Sequence, residues 1–308
     1  MYDIGIDVGA TFIKAALINS NLEKIAFKSV KTPKNSNDFY DAIKNIVNDL
    51  IIKEKIDLGK IDFIGMGIPG DIDISGYVHK LINIGLYEEN ILEKMQHIFK
   101  NTEIAIKNDA YVAMIAEKMY GSLKNTDNAL LLTLGTGVGG SVLINGKIYT
   151  DKSGATPEIG HTYVGKNFYD CSCGQNGCLE TFCSASAITK YYKKITGKSD
   201  QVSAELIFKL YEDEEIYAVQ TVERFIEYLA IGISNYCNII MSEKIAIGGG
   251  LSLSFDLYCE KLRRKTRERL FNKELCDVRI VQTKFKYDAG VIGAALIKKY
   301  SLNPNNTD

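Results

Sequence analysis

The chain has 308 residues, 46% of them hydrophobic and 24% charged, with a net charge of −1. That describes a globular protein with a sizeable core and lacks the basic balance that nucleic acid or an anionic membrane would favour. Its apolar runs are too short to cross a bilayer and no leader is expected at its start, so the seven irregularly spaced cysteines point to a reducing, cytoplasmic setting and to metal ligands or spare thiols.

In chain order, DIGID (3–7), FIKAALIN (12–19) and KIAFKSV (24–30) read as an antiparallel meander. A helix over 36–55 follows, with apolar residues at helical spacing and Ser36 or Asn37 placed to cap it. IDFIGMGIPG (61–70) reads as a buried strand. EIAIKNDA (103–110) is another, with Asp109 where a helix over 110–119 begins. ALLLTLGTGVGGSVLINGK (129–147) then repeats the opening device of strand, glycine turn and strand. Helices are expected at 184–194, 203–212 and 214–240, a strand at 244–250, a basic helix near 256–270, a strand at 277–281 and a last helix at 288–300. Two copies of one hairpin among mixed strands and helices suggest two α/β domains facing a cleft, where ligands tend to bind.

Glycine turns let backbone N–H groups approach an anion closely. Taken singly, DVGAT and LGTGVGG are ordinary hairpin turns. Taken together they suit a polyphosphate gripped from both sides. Neither is a Walker A loop, and LGTGVGG leads into a strand, which excludes the dinucleotide fingerprint. Asp7 adds a carboxylate fit to hold Mg²⁺ through water, and Thr11 and Thr136 add hydroxyls. A third turn, GGGLS (248–252), lies between a strand and a helix, a favourable place for a nucleotide.

His161, Cys171, Cys173 and Cys178 give H-x9-C-x-C-x4-C, one imidazole and three thiols that suit tetrahedral Zn²⁺. A redox switch or plain packing thiols are the other readings. Cys171 and Cys173 are too close in sequence for a relaxed disulfide with each other. Four protein ligands would make the zinc structural. Cys183, Cys237, Cys259 and Cys276 read as packing or spare thiols.

These motifs resemble the ROK family of sugar kinases and sugar-responsive repressors, over nearly the whole chain. DVGAT and LGTGVGG resemble its two phosphate motifs, IGGGL its adenosine motif, and EIGH followed by C-x-C-G-x-x-G-C-L-E its zinc and sugar signature. The resemblance implies the duplicated actin-like ATPase (ribonuclease H-like) α/β fold. It implies two domains around a cleft: 1–118 plus 290–308, and 119–289 carrying the zinc site and the nucleotide and dimer elements. It implies ATP-dependent phosphorylation of a hexose at the 6-hydroxyl, with Mg²⁺, structural Zn²⁺ and a homodimer or homotetramer.

By the same resemblance Asp109 is the catalytic base, and Asn108, Glu158, His161 and Glu180 contact the sugar, with Asn83 as a further candidate. Asp7, Gly9, Ala10, Thr11, Lys14, Gly135, Thr136, Gly137, Gly249 and Gly250 fall at the nucleotide motifs. His161, Cys171, Cys173 and Cys178 match the zinc ligands. Three departures stand out: Ala10 for a glycine, Phe12 for a lysine whose charge Lys14 could supply, and Pro157 for the glycine before EIGH. The expected activity is glucokinase- or allose kinase-like, with GATFIK and CLETFCS closer to allose kinases than to common glucokinases; N-acetylmannosamine, N-acetylhexosamine and fructose kinases are alternatives. Repressors of the family carry a DNA-reading segment before the first strand, which here starts at residue 2. A silent sugar sensor sits poorly with an intact Asp109 and both phosphate turns. Acetate- and glycerol-type kinases lack the zinc signature.

Overall fold

The opening segment YDIGIDV buries Ile4, Ile6 and Val8 as β1 (Tyr2–Val8). Its glycine turn sends the chain back antiparallel as β2 (Phe12–Asn19), followed by β3 (Lys24–Lys31). The computed structural model describes residues 1–81, 84–197, 202–273 and 278–302. The chain forms two units, one of residues 1–124, 147–156 and 288–308, the other of 125–146 and 157–287.

In the first unit, β4 (Ile61–Ile68) and β8 (Glu103–Asn108) join parallel to β1, giving the order β3-β2-β1-β4-β8. Helix α1 (Ser36–Lys53) covers the sheet with Phe39, Ile43, Ile46, Val47 and Leu50. Its cap is Asn35, whose side chain accepts from Asp38 N–H, and not Ser36 or Asn37. Asn35 still has extended backbone while the next two residues are already helical, and the cap must be the last non-helical residue.

The segment after β4, without a sequence reading of its own, forms a three-stranded antiparallel sheet of β5 (Asp71–Ile72), β6 (Tyr77–Leu81) and β7 (Leu86–Asn90), then α2 (Ile91–Ile98). Its strands are too short to show a period. The strip 147–156, expected in the larger domain, belongs to the first unit. Its short strand β11 (Lys147–Ile148) donates from Ile148 N–H to the Tyr300 hydroxyl, and Ser153 O accepts from Ile74 N–H at 2.8 Å.

The helix expected at 288–300 is two helices. α9 (Ala289–Ala295) stops at Leu296, whose N–H is shared between Ile292 O and Gly293 O, and α10 (Ile297–Leu302) follows. α9 lies against β1, β4 and α3 (Asp109–Tyr120) with backbone on backbone. A Cβ added to Gly5 would fall 1.7 Å from Val291 O, one on Gly65 1.8 Å from Ala294 O, and one on Gly293 1.7 Å from Val112 O.

The second unit repeats the plan. β9 (Ala129–Leu134) and β10 (Val138–Ile144) are antiparallel, and β12 (Lys244–Gly248) and β13 (Arg279–Gln282) add parallel to β9. The strand expected at 244–250 ends at Gly248, because Gly249 and Gly250 enter a 3-10 turn. Thus β9, β10, β12 and β13 take the places that β1, β2, β4 and β8 hold in the first sheet. The helices are α4 (Glu180–Cys183), α5 (Ala185–Thr196), α6 (Ala204–Glu212), α7 (Ile216–Ile240) and α8 (Phe255–Arg269). Phe208, Phe225 and Tyr258 meet in a fully buried aromatic cluster between α6, α7 and α8. Among the described residues no helix is long and apolar enough to cross a membrane.

Candidate active site

In the first unit the expected residues gather at the ends of β1 and β8. Gly9 N–H donates to Phe12 O at 2.9 Å, closing the first turn and leaving Ala10 and Thr11 exposed at its tip. Thr32 Oγ1 donates to Gly9 O and steadies the turn from below. Asp7, the next-to-last residue of β1, lies 3.6 Å from Lys14 Nζ across the hairpin. Burial raises the Asp7 pKa and Lys14 offsets this in part. Ionising that carboxylate is costly, so an added cation is favoured beside it. Phe12 is about half exposed.

Strand β8 ends in Asn108, which caps α3. Its Oδ1 accepts from Ala110 and Tyr111 N–H, and its Nδ2 donates to Gly70 O. Asp109 is the first residue of α3, half-buried, with Oδ1 accepting from its own neighbour's N–H at Ala110. The carboxylate therefore sits at the N-terminal end of α3. Asn83 lies outside the described residues.

In the second unit the glycine turn 135–137 joins β9 to β10. It is tied to the start of α5, where Ala185 N–H donates to Gly135 O and Ser186 Oγ to Thr136 O, both at 2.8 Å. Gly249 and Gly250 follow β12, and Ser252 closes their turn through its N–H and hydroxyl to Gly249 O.

Val138, the first residue of β10, is pinned on two sides. Its N–H donates to Glu180 Oε2 at 2.9 Å, and its carbonyl lies so near Gly160 that a Cβ there would be 2.0 Å away. Gly160 sits in the 3-10 turn Ile159–His161 that follows the exposed Glu158. The phosphate-type turn, the EIGH turn and Glu180 thus share one backbone residue. Neither Val138 nor its links stood out in the sequence, because backbone groups leave no residue signature.

His161, Cys171, Cys173 and Cys178 place one ligand atom each within 4.8 Å of one another. His161 Nδ1 is 3.5 Å from Cys171 Sγ, and Cys173 Sγ is 3.6 Å from Cys178 Sγ. Tetrahedral Zn²⁺ with Zn–S of about 2.3 Å has ligand–ligand edges of about 3.8 Å, so the set fits the ion. Gly177, at φ 94, makes the fold-back possible: a Cβ would strike both Gly165 O and the Tyr163 ring. Cys183, Cys237 and Cys259 are buried among apolar neighbours, and Cys276 lies outside the described residues.

A family model described as the ROK family matches residues 3–300. The chain is 31% identical over 304 residues to the N-acetyl-D-glucosamine kinase of Histophilus somni, covering 95% of this chain and 97% of that one. It is 29% identical over 315 residues to the glucokinase of Thermotoga maritima, covering 96% of each. Among solved structures it is similar to a ROK family glucokinase from Streptomyces griseus in complex with glucose and AMPPNP. The TM-score is 0.84 and the identity 24%, over 96% of this chain and 98% of that one. The ROK hexokinase of Thermus thermophilus matches with a TM-score of 0.81 and 25% identity, over 96% and 97%. The fold is the two-domain, duplicated actin-like ATPase fold of these structures.

Proposed function

The chain belongs to the ROK family and is an ATP-dependent hexose kinase, and from that premise we propose that it phosphorylates the sugar's 6-hydroxyl with Asp109 as base. The observation that carries this reading is the Val138 junction. It links the turn suited to phosphate, the Glu158–His161 segment and Glu180 into one assembly. Sugar-side and phosphate-side groups are then built on a common support.

In this reading Glu158, His161 and Glu180 bind the sugar hydroxyls, as does Asn108. Asn83 is a further candidate contact. Asp109 orients the 6-hydroxyl and accepts its proton late in the transfer, because phosphoryl transfer is mostly positioning and charge stabilisation. The turns around Gly9, Ala10 and Thr11, and around Gly135, Thr136 and Gly137, cradle the ATP phosphates with backbone N–H groups, assisted by Lys14. Gly249 and Gly250 receive the adenosine. Asp7 would hold Mg²⁺ through water, and the ion would supply charge neutralisation on the phosphates. His161, Cys171, Cys173 and Cys178 would hold Zn²⁺, which would fix the loop between Glu158 and Glu180.

A coupled ADP-release assay with MgATP against glucose, N-acetylglucosamine, allose, mannose, fructose and N-acetylmannosamine tests the reading. One sugar standing out in kcat/KM supports it and names the substrate. Silence across the panel from zinc-replete protein overturns it.

A further inference from the structure

Arg224 occupies the inner side of α7, where its neighbours are apolar or aromatic. Its guanidinium carbon is 4.4 Å from the ring centroids of Phe182 and Tyr191, and 5.1 Å from that of Tyr228. Among the described residues no carboxylate pairs with it. A half-buried cation resting on ring faces without a carboxylate partner is costly to keep, and three rings would pack as well around a methionine. Its one directional bond is therefore informative: Nη2 donates to Asn167 Oδ1 at 2.8 Å.

Arginine can only donate, so together with Phe168 N–H, which donates to the same oxygen at 2.9 Å, it fixes which way the Asn167 amide points. Oδ1 must face the guanidinium, and Nδ2 must face the other way. There Nδ2 donates to both Thr181 O at 2.8 Å and Thr181 Oγ1 at 2.9 Å. Thr181 Oγ1 in turn donates to Cys178 O at 2.7 Å. Thr181 follows Glu180 directly, and Cys178 is one of the four clustered ligands. Asn176 closes the ring, accepting from Asn167 N–H and donating to Asn167 O. The Asn167 side chain thus directs its amide nitrogen at Thr181, while its oxygen accepts from Arg224 and from Phe168 N–H.

We propose that Arg224 is a positioning residue for sugar binding, acting through Asn167 to set the Cys178–Thr181 segment and with it the Glu180 carboxylate. The proposal rests on the hexose-kinase reading above for what Glu180 binds. The relay itself concerns only the loop and its metal set.

Asn167→Asp separates positioning from mere stability. The carboxylate keeps, and strengthens, the bond to Arg224 but loses both donors to Thr181. A purely structural role predicts a less stable variant whose folded fraction keeps wild-type hexose and ATP KM and wild-type zinc release. The relay predicts a hexose KM about tenfold higher, an ATP KM within about twofold, and bound zinc lost to a colorimetric chelator about tenfold faster. Arg224→Met should move the same three readouts in the same direction, and Arg224→Lys should lie between it and the wild type. Wild-type hexose KM and zinc release in Asn167→Asp overturn the proposal, as does an equal rise in both KM values. If Arg224→Met fails to fold, Asn167→Asp decides alone. If the wild type turns over no hexose, the kinase reading fails, and the zinc-release comparison still decides the relay.

Discussion

Gly290 lies against the Asp7 carboxylate: a Cβ built on it would be 2.5 Å from Asp7 Cγ and under 3 Å from both oxygens. The first residues of α9 thus form one wall of the pocket that holds the side chain beside the first glycine turn. A methyl group there must push the carboxylate out of place. Gly290→Ala should therefore raise the KM for MgATP and lower kcat, together by about tenfold or more in kcat/KM. Steady-state kinetics at varied Mg²⁺, on protein whose circular dichroism matches the wild type, checks this. Unchanged kinetics would remove Asp7 from the nucleotide site.

Asp109→Asn keeps the size and the helix-start position but cannot take a proton. We expect kcat to fall by about two to four orders of magnitude. Hexose binding, measured by calorimetry without ATP, should survive within several-fold. Loss of binding with intact residual turnover would contradict the role assigned to Asp109.

The four-ligand cluster predicts one zinc per chain by elemental analysis. Cys178→Ser should lose it and raise the hexose KM by about tenfold or more, with the ATP KM changed far less. A variant that loses zinc yet binds hexose normally would confine the metal to overall stability.

Asp3 sits near Asp62 and Lys298, which also pairs with Glu103, at the far end of the first sheet from the glycine turn. Burial first, then Asp62, pushes its pKa up to about 6, with Lys298 pulling the other way. The folded state therefore holds a proton that the unfolded chain has already lost between about pH 4 and pH 6. Stability falls as pH rises through that window, and above it the full cost is present. Asp3→Asn should be more stable than the wild type at pH 8 by about 1 kcal/mol after allowance for its exposure, and no more stable near pH 3.5. Denaturant melts at both pH values test the sign.

The sequence announced the two hairpins because glycine turns between apolar strands are a short-range pattern, and each appears where the pattern lies. It announced the α3 start because Asn-Asp follows a strand at that point, although which of the two is the cap is a matter of backbone angles. The Asn35 cap was missed for the same reason by one residue. The small sheet over 71–90 carried no signal, since its strands are two to five residues long. The break at Leu296 was also hidden: AGVIGAALIKKY has helical spacing throughout, and only the shared N–H of Leu296 reveals the pause. The histidine and cysteines were visible by type and spacing. Arg224 was not, because its partners Asn167, Phe182, Tyr191 and Tyr228 lie at distances along the chain that no local period connects.

The glycine seam between α9 and the first sheet has a consequence for how the protein is made. β1 leaves the ribosome well before α9, the helix that fits against Gly5 and Gly65. Until then one face of that sheet is without its cover, and only a backbone with no side chain at those points can receive it. The second unit is made of residues 125–146 and 157–287, all translated before α9, so it can finish while the first still waits. Cutting the message just short of residue 289 should yield nascent chains whose second unit resists protease while the first is digested.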